Sequence, residues 1–456
     1  MSVWLPTVSL HSLVVVVSVL VYILTTRARR ERRPPSIAIA WVLGMIALPY
    51  VVFPMYLMFG RRKLPRKTSP RSGARSFAGH WAQDLIESFE LPGSSPAAIN
   101  LHRDGRDSAD ALFSVMSSAV SRLDICTYIL GDDAFGREAM QRMMERARRG
   151  VDVRLLLDGV GALQLPRVCF RALQAGGVET AIFSPLLARR TQGPRNLRNH
   201  RKMVIADGGR LWAGGRNLAA EYFFGVAGAP AWRDLSFDLQ GPVAGAAAAQ
   251  FEQDWVAAGG KPASADVAAV AGTVSHPTAS EAQFLPSGPD QTEDTVHALL
   301  IDGCFHARDR MLAVTPYFVP DVSLETAMRL AARRGVRVDL VIPARSNHRL
   351  ADFARNRALR SLSQAGVNVR LMPYMSHAKA VIFDHSLALS GSVNLDSRSL
   401  LLNYECAVVF YGRAEINWLA QWIDAQIAET VPFHGRPPGL LRDLCEGLLL
   451  TVAYQL

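Results

Sequence analysis

The sequence predicts an α/β protein in which two homologous lobes follow an apolar N-terminal region. Three observations support this prediction: a strand–helix–strand pattern that occurs twice, a spaced motif that occurs once in each half, and two uncharged runs before residue 61. Alternating strand and helix patterns favour a sheet with helices on its faces. A chain of 456 residues is long enough for two such lobes and an N-terminal extension.

The repeated pattern lies in residues 123–157 and 311–342. Each copy has an apolar run ending near a tyrosine (Tyr128 or Tyr317), a helical pattern, the string Ala-Arg-Arg-Gly-Val and a second apolar run. A glycine after a basic last turn ends a helix, and the β-branched run after it is typical of a buried strand. We therefore predict one lobe at 100–256 and another at 283–456 with a C-terminal helix, joined by an Ala/Gly-rich linker at 257–282.

Two runs of 24 residues without a formal charge, 3–26 and 37–60, begin the chain. About 20 apolar residues are enough to cross the hydrocarbon core of a bilayer. We therefore predict two transmembrane helices within a membrane anchor at 1–67, followed by a connecting segment at 68–99. A cleaved signal peptide is the alternative, but the first run lacks a basic start and a small-residue cleavage site. Basic residues follow both runs, so the sidedness stays open.

The positive charge of the chain is concentrated next to these runs. Residues 1–75 contain 12 Lys/Arg and one acidic residue, which leaves 38 basic and 39 acidic residues for the rest of the chain. Each basic residue near a membrane attracts anionic lipid by about 1 kcal/mol. A nucleic-acid-binding protein usually carries its basic excess on the globular domain. The distribution therefore favours a lipid surface and argues against nucleic acid as a partner.

One spaced motif, H-x-K-x4-D-x6-G-[GS]-x-N, occurs in both halves with no difference in spacing. A His and a Lys two residues apart share one face of a strand, and the Asp at the end of the strand can hold the following turn. We assign the His, Lys and Asp to the catalytic set and the Gly/Ser and Asn to phosphate binding and support. The members are His200, Lys202, Asp207, Gly215 and Asn217 in the first half, and His377, Lys379, Asp384, Ser392 and Asn394 in the second.

Lysine usage makes chance an unsatisfactory explanation for the two motifs. The chain has 45 Arg but only 5 Lys, and two of the three lysines beyond residue 75 are the motif residues Lys202 and Lys379. A compact ammonium differs from a guanidinium fork in geometry and hydration. Phosphodiester chemistry requires a nucleophile, a proton donor and fixed positive charge, which two imidazoles and two lysines can supply. Because no metal-ligating cluster adjoins the motifs, we expect neither a metal nor another cofactor.

The twin motif resembles that of the phospholipase D superfamily, from about residue 100 to the C-terminus. The resemblance implies a body with pseudo-twofold symmetry and one active site between the lobes. It also implies a metal-independent, two-step displacement through a covalent phosphohistidine. By analogy, His200 is the nucleophile and His377 the general acid/base, although the two roles could be reversed.

The resemblance also implies a carboxylate beyond each motif that orients the imidazole. Asp234 precedes Gly241 by seven residues, and Glu405 precedes Gly412 by seven. We therefore assign Asp234 to the first lobe and Glu405 to the second, with Asp207 and Asp384 as structural supports. In the alternative interpretation, these acids are ordinary solvated loop residues.

Several strings are similar to those of bacterial cardiolipin synthases, namely residues 198–202, 286–290, 394–399 and 403–405, together with the paired N-terminal runs. This similarity implies joining two phosphatidylglycerol molecules with release of glycerol, in a multi-pass protein of the bacterial inner membrane. Gly215, at the position of Ser392, departs from the second motif. A hydrolytic phospholipase D, a transferase with phosphatidylethanolamine as donor, a nucleic-acid phosphodiesterase and an inactive lipid-binding scaffold are the alternatives. The oligomeric state is left open.

Overall fold

The computed structural model describes residues 4–28, 35–60, 79–185, 196–262, 280–435 and 437–451. The N-terminal region contains helices α1 (Trp4–Ala28), α2 (Pro35–Ala47) and α3 (Pro49–Phe59). They contact one another through Tyr22, Met45 and Tyr56, and the Tyr56 hydroxyl lies 2.6 Å from Thr25 Oγ1. A further helix, α4 (Trp81–Ser88), precedes the first strand.

The prediction of a multi-pass membrane protein is wrong for the part of the chain that the structure describes. No helix there combines the length and the apolar character that crossing a membrane requires. The second run is divided at Leu48, because Pro49 lacks an amide hydrogen and disfavours helical geometry in the residue before it. The resulting helices of 13 and 11 residues are roughly 20 and 17 Å long, shorter than a hydrocarbon core of about 30 Å. The first run contains polar His11, Ser12 and Ser18 within α1.

The first lobe alternates strands and helices, as the sequence predicts. Its elements are β1 (Ser95–His102), α5 (Gly105–Ser118), β2 (Arg122–Thr127), α6 (Ala134–Arg148), β3 (Asp152–Asp158), α7 (Arg167–Ala175), β4 (Glu179–Phe183), β5 (Met203–Ala206), β6 (Arg210–Gly214), β7 (Ser236–Gln240) and α8 (Pro242–Ala257). The predicted linker that follows lies mostly outside the described residues.

The second lobe repeats this order. Its elements are β8 (Ser280–Ser287), α9 (Thr295–His306), β9 (Arg310–Val314), β10 (Phe318–Val319), α10 (Val322–Arg333), β11 (Arg337–Pro343), α11 (Arg349–Ala354), α12 (Asn356–Gln364), β12 (Asn368–Met372), β13 (Ala380–Phe383), β14 (Leu387–Gly391), β15 (Leu395–Asp396), α13 (Ser397–Leu401), β16 (Glu405–Phe410), α14 (Arg413–Ile427), β17 (Val431–Pro432) and α15 (Leu440–Thr451). The predicted C-terminal helix is present as α15.

Matching local signals begin and end the equivalent helices α6 and α10. Asp133 and Asp321 are their N-caps, and each carboxylate accepts hydrogen bonds from amides of the first turn. Gly150 and Gly335, with φ of +86° and +95°, follow the last turns. This left-handed conformation suits glycine and ends the helix as the sequence indicates.

Fifteen of the strands named above form one continuous sheet in the order β17-β12-β11-β9-β13-β14-β16-β8-β1-β7-β6-β5-β2-β3-β4, and β10 and β15 form a separate parallel pair. β2, β3 and β4 are parallel to one another, as are β9, β11 and β12. The lobes join where β1 pairs with β8 in antiparallel register through Ser95–Ala97. The twice-repeated α/β architecture predicted from the sequence is therefore confirmed.

Each lobe contributes one half of the continuous sheet, called a half-sheet below. Both half-sheets pack on one apolar core that the lobes share. Phe237 of β7 and Phe410 of β16 are buried there with ring centroids 5.3 Å apart, in an edge-to-face arrangement. Trp255 of α8 and Ile423 of α14 belong to the same cluster. Two further clusters lie between the helices and the outer face of each half-sheet.

This topology places both motifs at the same end of their lobes. His200 directly precedes β5, which is antiparallel to β2, so His200 lies at the carboxyl end of the parallel strands. His377 precedes β13, which is antiparallel to β9, and lies at the equivalent end of the second lobe. Functional sites of open α/β sheets occur at this edge, where successive loops converge.

Candidate active site

The first-lobe histidine is bonded to a carboxylate of the second lobe. His200 Nδ1 lies 3.0 Å from Oε1 of Glu405, which is fully buried at the start of β16. The backbone amide of His200 donates to the carbonyl of Tyr404 at 2.8 Å. Main-chain pairing thus places the carboxylate beside the imidazole.

The second-lobe histidine makes the reciprocal arrangement. His377 Nδ1 lies 2.8 Å from Oδ2 of buried Asp234, and the His377 amide donates to the Arg233 carbonyl at 2.7 Å. The predicted pairing of each carboxylate with the histidine of its own lobe is therefore wrong. The chain segment before each histidine pairs with the segment before the other lobe's carboxylate, so the two ion pairs cross the interface.

The crossed pairs fix the orientation of each imidazole. A carboxylate at Nδ1 fixes the ring and its tautomer, which leaves Nε2 to face a reacting group. Because each pair joins a histidine of one lobe to a carboxylate of the other, both pairs lie at the interface between the lobes. The two predicted motifs therefore form a single site.

Each motif lysine is buried against its own histidine. Lys202 Nζ donates to the His200 carbonyl at 2.7 Å. Lys379 Nζ donates to the His377 carbonyl and lies 2.8 and 3.0 Å from the two ring nitrogens of His377. Burial lowers the pKa of Lys202 to about 8 and that of Lys379 to about 7. Their charge is thus sensitive to pH near neutrality.

Burial also decides the ionisation of the two crossed pairs. Desolvation lowers the pKa of His200, and desolvation together with Lys379 lowers that of His377 to about 3. Burial opposes ionisation of Asp234 and Glu405, but the adjacent histidines and lysines overcome it and hold both carboxyl pKa values below their usual range. In both pairs burial therefore favours the neutral imidazole, while the adjacent positive groups favour the ionised carboxylate.

The glycine–serine difference between the motifs matches the difference between the two carboxylates. The Ser392 hydroxyl donates to Glu405 Oε2 and so helps to fix the longer side chain. At Gly215 a Cβ would lie 2.2 Å from Asp234 Oδ1, closer than real contacts allow. Gly215 therefore leaves room for the shorter carboxylate, whose Oδ1 accepts from the Leu235 amide instead.

The motif asparagines hold neighbouring loops. Asn217 Nδ2 donates to the Tyr222 hydroxyl at 2.8 Å, and its Oδ1 accepts from the Ile129 amide at 3.3 Å. Asn394 Nδ2 donates to Ser399 Oγ at 3.1 Å. Their direct participation in phosphate binding stays a prediction.

The motif aspartates lie at the opposite ends of their strands from the histidines. Asp207 accepts from the amides of Val120, Ser121 and Arg122 at 2.8 Å each. Asp384 accepts from three successive amides in the same way. Both have positive φ, 49° and 52°, which is uncommon outside glycine. Each holds the loop before a neighbouring strand, β2 or β9, and not the turn after its own strand as predicted. Their catalytic assignment stays a prediction.

Aromatic side chains that the motif search did not assign surround the histidines. Tyr128 stands edge-to-face to His200 with centroids 5.0 Å apart, and Tyr222 does the same to His377. Trp232 and Tyr317 lie 5.9 and 6.3 Å from His377. The repeat contained a signal for Tyr128 and Tyr317, because each follows the first strand of its copy. Tyr222 and Trp232 were found from tertiary contacts alone.

Arg201 is a second feature that sequence reasoning missed. It is fully buried, forms ion pairs with Asp254 and Asp290, and its Nε donates to the Glu405 carbonyl at 2.9 Å. The equivalent position of the second motif is Ala378. Arginine at the middle position of one H-x-K motif and alanine in the other is the sequence signal that only the first lobe makes these ion pairs.

Comparison with known proteins agrees with this geometry. Residues 112–255 and 300–427, more than half of the chain, match the family described as "Cardiolipin synthase, PLD-like domain". Residues 14–61 match the family described as phospholipase D-nuclease N-terminal.

Two relatives and one solved structure illustrate the similarity. Cardiolipin synthase A of Pseudomonas aeruginosa is 30% identical, over 94% of this chain and 91% of that protein. Cardiolipin synthase A of Pseudomonas entomophila is 28% identical, over 86% of each. The crystal structure of phosphatidylserine synthase from Haemophilus influenzae Rd KW20 covers 83% of this chain and 100% of its own, with a TM-score of 0.62; at 13% identity it supports the fold alone. The chain therefore belongs to the cardiolipin synthase family of the phospholipase D superfamily.

Proposed function

We propose that this protein is a cardiolipin synthase that transfers a phosphatidyl group from one phosphatidylglycerol to a second, releasing glycerol. The observation that carries the proposal is the pair of crossed imidazole–carboxylate contacts, His200 with Glu405 and His377 with Asp234, in one site with two buried lysines. Membership of the cardiolipin synthase family supports the choice of lipid substrate.

In the first step, His200 Nε2 attacks the phosphorus of the donor lipid. A P–N bond forms, the bond from phosphorus to the glycerol headgroup oxygen breaks, and His377 gives a proton to the leaving alkoxide. Lys202 and Lys379 stabilise the negative charge that develops on the phosphoryl oxygens. His200 is proposed as nucleophile because its side chain is 14% exposed, whereas that of His377 is 4% exposed.

His377 must carry a proton for this step, although its pKa is low in the ligand-free protein. The bound phosphodiester adds a negative charge beside Lys379 and His377. An adjacent anion favours the charged forms of both groups and raises their pKa values. Substrate binding thus lets His377 take up from solvent the proton that it then gives to the leaving glycerol.

In the second step, the same residues act in reverse. His377 accepts a proton from a glycerol hydroxyl of the second phosphatidylglycerol, and that oxygen attacks phosphorus. The P–N bond to His200 breaks, and cardiolipin is formed. Water at the acceptor position would give phosphatidic acid by the same chemistry, so the acceptor distinguishes a synthase from a hydrolytic phospholipase D.

The test supplies phosphatidylglycerol as the only lipid to the purified full-length chain and identifies the products. Cardiolipin and glycerol in equal amounts are expected. Phosphatidic acid without cardiolipin would assign the hydrolytic reaction instead, and formation of cardiolipin only when phosphatidylethanolamine is added would change the donor. His385→Ala is a matched control, because His385 is exposed beside Asp384 and should leave the products unchanged.

A further inference from the structure

Arg201 lies at the centre of a buried polar cluster between the lobes. Its side chain is fully buried, and each of its three nitrogens bonds a protein group. Nε donates to the Glu405 carbonyl at 2.9 Å, and Nη1 pairs with Asp254 of α8. Nη2 donates to Asp290 Oδ2 at 2.9 Å and to the Ser287 carbonyl at 3.2 Å. The guanidinium is therefore committed to the protein and influences the reaction through these neighbours.

Two of these neighbours lie at the end of a strand ladder. Glu405 begins β16, Ser287 ends β8, and the two are partners in the antiparallel register of these strands. Arg201 bonds the carbonyls of both, so it holds the ladder at the point where Glu405 enters the site. Three strings that are similar to those of cardiolipin synthases meet at this point, namely 198–202, 286–290 and 403–405.

The adjacent residues His200 and Arg201 hold the two ends of Glu405. His200 Nδ1 lies 3.0 Å from the carboxylate oxygen Oε1, while Arg201 Nε donates to the main-chain carbonyl. Ser392 and Asn403 also donate to the carboxylate. These bonds fix the end of the side chain, and Arg201 fixes the main chain from which the side chain projects. The position of the carboxylate at the imidazole therefore depends on both.

A further layer of hydrogen bonds fixes Arg201 itself. Asn199 Oδ1 accepts from the Arg201 amide at 3.1 Å, and Asn199 Nδ2 donates to Asp254 Oδ2 at 2.9 Å. Gln250 Nε2 donates to Asp254 Oδ1 at 3.1 Å and to Asp290 Oδ2 at 3.0 Å. Both carboxylates that pair with the guanidinium are thus held in place. A planar fork between two fixed carboxylates has a defined orientation.

The crossed pair of His377 has no arginine at the equivalent position. Ala378 stands there, and its methyl group cannot donate a hydrogen bond. Instead, Arg233, which directly precedes Asp234, donates to Gln426 of α14 at 2.8 Å from a side chain that is 39% exposed. Weakening the buried cluster should therefore disturb one crossed pair and leave the other intact.

We propose that Arg201 is a positioning residue for the nucleophile, and that its bond to the Glu405 carbonyl keeps the carboxylate at Nδ1 of His200. The inference rests on the proposed function, in which His200 attacks phosphorus. A lysine can keep the positive charge beside Asp254 and Asp290. Its single nitrogen cannot reproduce the fork that bonds both acids and the carbonyl together. One substitution therefore separates the direction of the hydrogen bond from the charge.

The test compares Arg201→Lys with the unaltered full-length protein in cardiolipin synthesis and in the NMR titration of the histidine ring signals. We expect kcat to fall about tenfold with KM changed less than about twofold, because one hydrogen bond contributes roughly that factor. The titration of His200 should change and that of His377 should not. Asn199→Ala loosens Arg201 without removing a charge. It should change the same signal to a smaller extent, and it replaces the lysine variant if that variant does not fold.

Arg154→Lys is the matched control. Arg154 is also buried between two carboxylates, with Nε 2.7 Å from Asp124 and Nη1 2.7 Å from Glu252, but lies in the amino-terminal half of β3. Its replacement should lower the melting temperature without changing kcat or either titration. The same result for Arg201→Lys, or an equal change at both histidines, would overturn the inference. A change confined to His200 in a protein that makes no cardiolipin would support the positioning role and overturn the proposed function.

Discussion

The His200 side and the His377 side of the site share one backbone plan but differ in chemistry. Both place an imidazole against a carboxylate of the other lobe through equivalent main-chain bonds. The His200 side combines Glu405 with Ser392, whereas the His377 side combines Asp234 with Gly215. The two copies of the repeat have therefore kept the same geometry while their side chains differ.

Removing either histidine should have the largest effect and should separate the two tasks. His200→Ala and His377→Ala are each expected to lower cardiolipin formation by at least about 10³-fold, since the nucleophile and the proton donor are both needed. Protein from the His377→Ala variant, denatured in detergent at neutral or alkaline pH because the P–N bond is labile to acid, should retain a phosphatidyl group on histidine, and the His200→Ala variant should not. The reverse pattern would exchange the two roles, and substantial turnover by either variant would remove that residue from the mechanism.

The crossed pairing predicts the next largest effect. Glu405→Gln and Asp234→Asn should each lower kcat by about 10²-fold or more, because an amide at Nδ1 neither orients nor stabilises the imidazolium equally well. Proton NMR of the ring signals gives the sharper result. Glu405→Gln should change the titration of His200, although the two residues belong to different lobes. If Glu405→Gln changed only the titration of His377, Glu405 would be paired with the histidine of its own lobe.

The lysines predict a pH dependence that is stronger on the His377 side. A lysine whose pKa is lowered loses its charge as pH rises through the lowered value, about 7 for Lys379 and about 8 for Lys202. kcat/KM should therefore fall above pH 7, by up to about tenfold per pH unit once a needed ammonium is lost. Lys261→Met, at an exposed lysine, should show the same profile as the unaltered protein. A value of kcat/KM that stays constant up to pH 9 would contradict the lowered pKa values of the two lysines.

The lowered pKa of Lys379 also predicts that removing this lysine raises stability while it lowers activity. The pKa of Lys379 is lower in the folded protein than in the unfolded chain, so folding disfavours its ammonium and stability is reduced below pH 7. This penalty disappears as pH rises from about 7 toward 10.5, the value for the unfolded chain. Lys379→Met should therefore inactivate the protein but raise its melting temperature at pH 7, by at least about 2 °C. A lower melting temperature would contradict the assignment.

The motif aspartates should give the smallest effect on activity and an equal effect in both lobes. Asp207→Asn and Asp384→Asn each weaken a carboxylate that accepts three main-chain hydrogen bonds. We expect a loss of about 1–3 kcal/mol in the free energy of unfolding, with kcat changed by less than about threefold. Chemical denaturation and steady-state kinetics measure the two quantities. A large fall in kcat without loss of stability would show that Asp207 and Asp384 take part in catalysis.

The sequence was a better guide within each lobe than between the lobes. The repeated string ending in Gly150 and Gly335, together with the spacing of His200 and His377, predicted the duplicated α/β fold. The resemblance to the phospholipase D superfamily implied a common site. The sequence also predicted a structural role for Asp207 and Asp384, which accept main-chain hydrogen bonds, and a catalytic role, which stays a prediction. By contrast, hydrophobic length alone suggested two membrane spans, and that prediction failed for the described residues because Pro49 divides the second run.

The sequence by itself determined the duplication, the two His-x-Lys motifs and the family, because periodicity and spacing are local properties that survive in a linear string. Which carboxylate faces which histidine was decided only by the tertiary structure. Seven-residue spacing placed Asp234 and Glu405 correctly at equivalent positions, but positions equivalent by symmetry cannot distinguish pairing within a lobe from pairing across the interface. The main-chain bonds from His200 to Tyr404 and from His377 to Arg233 make that choice, since they join segments that are far apart in the chain.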